Sequence, residues 1–325
     1  MSWGAAAAAF GLSLLVSLAL GPVALPILSR LRLGQRVRSD GPARHLGKQG
    51  TPTMGGLVFL VGILVSSLAV APRNLYLLGV LLVTVGFALL GFLDDFIKVV
   101  RRRPLGLRAR YKILGQVVLG LVLSALVMGP LGGEGRVALP FCRLALDLGP
   151  LYVGFVVLVL MGAANAANLT DGLDGLLAGV ALVAYAAYAV LAMWAGRTEL
   201  ALFSLAAAGG CAGFLPYNRH PARMFMGDTG SLALGGGLGA VAVLTGTELL
   251  LPIVGGVLVV EALSVMLQVL AFQAFGRRLF RMSPLHHHFE LGGWPEARVV
   301  RAFWAAGVAL AAVGLLGAGW WGWAG

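Results

Sequence analysis

Apolar runs of about twenty residues recur along almost all of this 325-residue chain, and only 11% of its residues are charged. A run of ~20 apolar residues is the length that crosses a bilayer as a helix, and in hydrocarbon a helix satisfies its own backbone polar groups. The runs read as ten spans, at about 3–28, 54–71, 75–93, 112–130, 151–169, 175–195, 199–216, 229–247, 250–275 and 302–323. The expected fold class is therefore an all-α polytopic membrane protein, a single integral membrane unit over 1–325. The one sheet element suggested is a short hairpin within 131–150, from turn signals at Gly132-Gly133 and Gly149-Pro150. The ninth run is long, and its end reads as an interfacial piece, Ala274 to Phe280, carrying Arg277 and Arg278.

The net charge of +11 would suggest nucleic acid in a soluble protein, but hydropathy excludes that class here. The charge is better read as a topology signal. The loops at 29–53, 94–112, 217–228 and 276–301 hold 6, 7, 2 and 5 of the 24 Lys and Arg residues, and the opposite loops hold only Arg73, Arg136, Arg143 and Arg197. Basic loops stay in the cytoplasm and meet anionic lipid there. An even span count then puts both termini in the periplasm. The two cysteines, Cys142 and Cys211, lack metal-ligand spacing and are not expected to pair.

Five of the seven aspartates sit where apolar runs meet those cytoplasmic loops: Asp94, Asp95, Asp171, Asp174 and Asp228. A carboxylate at the edge of hydrocarbon is costly and marks function by default. Asp94 and Lys98 are four apart, on one helix face. Two adjacent carboxylates ionise together only beside a cation, either Mg²⁺ or a nearby lysine. In Asn165-Ala-Ala-Asn168-Leu-Thr-Asp171-Gly-Leu-Asp174-Gly, the glycines suggest a helix break, and the oxygens of Asn168, Asp171 and Asp174 suit a hard cation or a sugar hydroxyl. A capped loop between two spans is the plainer alternative.

Asp228, in Met226-Gly-Asp-Thr-Gly-Ser231, opens a span, where backbone N–H groups can hold an oxyanion, and is a candidate Mg²⁺ ligand. Phe225 either stacks on a flat ring or faces lipid. His286, His287 and His288 stand together in a basic loop with no cysteine near; imidazoles that contact phosphate fit better than zinc. Glu261 and Gln268, seven apart, point one polar face of the ninth span into the bundle. Lys48, Thr53 and Lys112 carry little signal alone. Clustering at one edge favours an enzyme over a transporter, which would place ionisable groups near the bilayer midplane.

Five strings, in order, resemble the polyprenyl-phosphate N-acetylhexosamine-1-phosphate transferases: TPTMGG at 51–56, GFLDDFIKV at 91–99, NLTDGLDGL at 168–176, FMGDTGSLALGG at 225–236 and SPLHHHFE at 283–290. They cover nearly the whole chain, and the triple histidine followed by Phe-Glu is similar to the branch that uses a muramoyl-pentapeptide nucleotide. The resemblance implies two substrates, UDP-N-acetylmuramoyl-pentapeptide and undecaprenyl phosphate, with Mg²⁺ required, in the bacterial inner membrane. The products would be lipid I and UMP. It implies Mg²⁺ held by Asp228 and Asn168, and Asp94 acting on the lipid phosphate beside Asp95. Lys98 and Lys112 would offset phosphate charge. Lys48, Asp174 and Phe225 would grip the uridine end, Asn218, Gln268, His287 and His288 would line the sugar and phosphate region, and Thr53, Asp171 and His286 would be further substrate-binding residues. Nothing in the residues decides between a monomer and a homodimer.

Overall fold

The computed structural model describes residues 1–30, 48, 50–100 and 106–319. The long helices are α1 (Trp3–Arg30), α3 (Leu75–Val100), α4 (Ala109–Met128), α5 (Leu151–Thr170), α6 (Leu176–Trp194), α7 (Thr198–Asn218), α8 (Gly227–Thr245), α10 (Gly256–Phe275) and α12 (Glu296–Gly319). These nine, among the described residues, have the length and apolarity to cross a membrane. The second run, 54–71, folds as α2 (Gly56–Val70), a helix of 15 residues. At 1.5 Å per residue it is about 22 Å long, shorter than the ~30 Å hydrocarbon core. The chain is a multi-pass membrane protein.

The centre of the bundle is α8, in which every residue from Thr229 to Thr245 is buried. α3 and α5 pack against its sides, α6 and α7 close around it, and α1, α4, α10 and α12 lie further out. The outer helices expose Leu263, Met266 and Leu270 on α10 and Leu114 and Val118 on α4, as lipid-facing surfaces should. Without a hydrophobic drive between helices in lipid, close approach depends on small residues. At Gly91 of α3, an added Cβ would stand 2.1 Å from the carbonyl oxygen of Asp228. The contact therefore holds only with hydrogen at that position.

Several boundaries differ from the hydropathy reading. α3 continues through Asp94, Asp95 and Lys98 to Val100, and α12 starts at Glu296 rather than near 302. Helices continue into the headgroup layer, where charge is tolerated, so apolarity ends before the helix does. The ninth run is not one helix. A 3-10 turn at Glu248–Leu250 leads into the short α9 (Leu251–Val254), and Gly255 separates it from α10. The interfacial piece expected at Ala274 to Phe280 does not form: α10 stops at Phe275, and Gly276 adopts a left-handed φ of 64°. A short helix forms further on instead, α11 (Leu285–Leu291), built from the histidine string that sequence alone places in a loop. The hairpin does form, as β1 (Arg136–Ala138) antiparallel to β2 (Ala145–Asp147), with Val137 opposite Leu146.

Candidate active site

The C-terminal ends of α3 and α5 meet the N-terminal ends of α4 and α8. That brings four of the polar strings to one end of the bundle. Lys98 Nζ lies 2.5 Å from Asp94 Oδ2 and 3.1 Å from Asp228 Oδ1. Lys112 Nζ lies 2.6 Å from Asp228 Oδ2. Asn168 donates its amide to Asp228 Oδ1 at 3.0 Å and to Ser231 Oγ at 2.8 Å. The backbone N–H of Leu107 donates to Asp94 Oδ1 at 2.9 Å.

The N-terminus of α8 does hold an oxyanion, and the anion is the chain's own Asp95. The backbone N–H groups of Asp228 and Thr229 donate to it at 3.2 and 2.9 Å, and the Thr229 hydroxyl at 2.7 Å. Asp95 thereby fastens α3 to α8 and orients Asp228. Gly227, at φ 69°, makes the turn; a Cβ there would meet Asp95 Oδ2 at 2.5 Å and Thr53 Oγ1 at 2.7 Å. Thr53 is buried beside this turn, in the segment whose Pro52 carbonyl accepts the Phe225 N–H at 2.9 Å. Phe225 itself is half-buried.

One oxygen from each of Asp94, Asp95 and Asp228 falls within 4.8 Å of the others. Three carboxylates against two lysine ammoniums leave negative charge over. Asp94 Oδ2 is buried, and the Lys98 ammonium lies against it. An all-oxygen donor set with surplus negative charge fits a hard divalent cation.

A second cluster lies beside the first. Lys48 is clamped between Asp174 (2.7 Å) and Glu296 (2.6 Å). Glu296 also accepts the Asp174 N–H at 2.8 Å, and Asp174 Oδ2 takes the Ala222 N–H at 2.9 Å with His220 Nδ1 at 3.1 Å. Asn168 and Asp174, read in the sequence as oxygen donors of one set, thus point into different clusters. Asp171, in the turn between α5 and α6, stands between them: burial pushes its carboxyl well above the usual carboxylate range, and the charges of Asp228, Asp95 and Asp174 add to the rise. The expected helix break is real, with α5 ending at Thr170 and Gly175 at φ 78° before α6.

Other sequence candidates are spent on backbone. Asn218, buried, accepts the Gly175 N–H at 3.1 Å and donates to the Met224 carbonyl at 3.0 Å. Gln268 holds the 279–280 loop, accepting from Leu279 and Phe280 N–H at 2.9 and 2.8 Å. His288 Nδ1 accepts the Arg281 N–H at 3.2 Å, His287 Nδ1 lies 2.8 Å from Glu290, and His286 is fully buried against Glu261. Sequence reasoning missed Glu296, His220, Thr229 and Ser231. Glu296 had a signal: Trp294-Pro295-Glu296 is a proline-then-acid helix start.

Comparison with known proteins gives the family. Residues 77–246 match the family model for glycosyl transferase family 4, and residues 48–60 match signature 1 of the phospho-N-acetylmuramoyl-pentapeptide-transferases. The phospho-N-acetylmuramoyl-pentapeptide-transferase of Moorella thermoacetica is 56% identical over 304 residues, covering 94% of this chain and 96% of its own. The chain belongs to that family. Members from Desulforudis audaxviator and Desulforamulus reducens are 54% and 52% identical, each aligned over 95% of this chain and over 97% and 95% of their own lengths. The signature begins at Lys48, so the family's own marker contains the lysine held by Asp174 and Glu296.

Proposed function

We propose that this protein transfers phospho-N-acetylmuramoyl-pentapeptide from its UDP-activated form to undecaprenyl phosphate, giving lipid I and UMP, with Mg²⁺ as cofactor. The observation that carries the reading is the convergence of Asp94, Asp95 and Asp228 with Lys98 and Lys112 at one end of the bundle. It is supported by the shared name of full-length relatives at 50% identity and above. On this reading the acidic end is cytoplasmic, both termini are periplasmic, and the whole chain is one domain of the bacterial inner membrane.

The reaction joins two anions. An oxygen of the lipid phosphate attacks the β-phosphorus of the nucleotide, the bond from that phosphorus to the α-phosphate oxygen breaks, and UMP leaves with the electron pair. Mutual repulsion is the main obstacle, so positioned cations supply much of the stabilisation. Asp228, with Asn168, would hold Mg²⁺, which neutralises pyrophosphate charge. Lys98 and Lys112 offset further charge. Asp94 takes the lipid phosphate proton, and Asp95 orients Asp228. Asp174, Lys48, Asp171, Thr53 and Phe225 grip the nucleotide end, and the histidine helix α11 with Gln268 and Asn218 borders the sugar and its phosphate.

Substrate competition tests the reading. UDP-N-acetylmuramoyl-pentapeptide should drive UMP release, and UDP-N-acetylglucosamine should not. Equal turnover of both would assign the chain to a different sugar branch. Trapping a phospho-aspartyl protein with the nucleotide sugar alone would replace direct attack with a two-step route.

A further inference from the structure

Glu261 takes no part in either acidic cluster, yet it is a fully buried carboxylate inside membrane-crossing α10. Such a group is costly in the bilayer unless it is partnered. Among the described residues, both partners of the carboxylate come from one residue: the backbone N–H of His286 donates to Oε1 at 3.2 Å, and His286 Nδ1 lies 3.1 Å from Oε2. A carboxylate only accepts, so Nδ1 carries the proton toward it, which fixes both the tautomer and the ring plane.

The far ring nitrogen is the informative one. His286 Nε2 is buried with no hydrogen-bond partner among the described residues, an arrangement that calls for an explanation in a native fold. It abuts the backbone of Gly172: a Cβ placed there would stand 2.2 Å from Nε2. The imidazole is thus wedged between Glu261 and the turn that carries Asp171 and Asp174, with the His287 ring 4.1 Å away on its flank.

We propose that Glu261 is a positioning residue that acts through His286 on the Asp171–Asp174 turn, and so sets the affinity for the nucleotide sugar. The proposal rests on the reading that this turn grips the nucleotide. Gly172 belongs to the same device, because only a residue without Cβ lets the ring reach the backbone.

The test uses the full chain, purified into nanodiscs, with initial rates measured against both substrates and thermal melting recorded for each variant. Glu261→Gln keeps the shape but loses the charge that orients the ring. It should raise KM for UDP-N-acetylmuramoyl-pentapeptide about tenfold, as loss of an orienting partner does elsewhere, and leave KM for undecaprenyl phosphate unchanged. The double variant with His286→Gln should be no worse than His286→Gln alone. Wild-type KM in Glu261→Gln, an equal rise in both KM values, or losses that multiply in the double variant would each overturn the proposal. If Glu261→Gln does not fold, Gly172→Ala pushes on the ring from the other side and should give the same selective rise; a wild-type KM there overturns it too. Wild-type protein that releases no UMP would count against the transferase reading instead.

Discussion

Asp95 and Glu248 show how a buried carboxyl is partnered differently at the two ends of the bundle. Asp95 receives three donors from the start of α8. Glu248, at the far end and equally buried, accepts the Tyr152 hydroxyl at 2.6 Å, while its second oxygen has no hydrogen-bond partner among the described residues. Burial therefore pushes the Glu248 carboxyl up to about 7. The folded chain keeps a proton there that the unfolded chain releases above the ordinary glutamate range. The resulting stability is complete below about pH 4.5 and is lost as pH rises toward 7. Thermal melting between pH 5 and 7 should show the midpoint falling by a few degrees, and Glu248→Gln should flatten that slope. An unchanged slope in the variant would place the titrating group elsewhere.

At the scale of elements, the seam between α3 and α8 does the positioning, and Gly91 is its closest point. Gly91→Ala forces a methyl against the Asp228 carbonyl and displaces the carboxylate it carries. A displacement of about 1 Å costs roughly 10²-fold in rate where geometry is tight. Activity should fall by about that much, with a lowered melting temperature. Gly11→Ala, where nothing lies within 4 Å of the new Cβ, serves as the control and should change neither. Much of this was legible in the chain. The Asp94-Asp95 doublet, the Gly-broken turn at 171–175 and the Asp228 helix start all stood out because polar residues interrupt apolar runs. What was not legible has a common cause. Hydropathy ends where charge begins, although α3 and α12 extend further. The burial of His286 and the bond from Glu296 to Lys48 depend on partners 25 and 248 residues distant along the chain, which no local pattern reports.

The whole molecule joins an apolar wall to an acidic and basic end. The exposed flanks of α4 and α10 suit a lipid substrate, and the ends of α3, α4, α5 and α8 suit a charged one. A reaction between a bilayer-bound phosphate and a water-soluble nucleotide has to occur at such a boundary, because neither partner can cross to the other. The arrangement of the carboxylates there is the central claim. Its most direct test is UMP release by the purified protein, titrated with Mg²⁺ in the presence and absence of undecaprenyl phosphate, for the wild type and Asp228→Ala. We expect release to need both the lipid and the metal, and Asp228→Ala to lose roughly 10²–10³-fold in rate at limiting Mg²⁺. Full activity of Asp228→Ala at limiting Mg²⁺, or undiminished release with the metal chelated, would contradict the account.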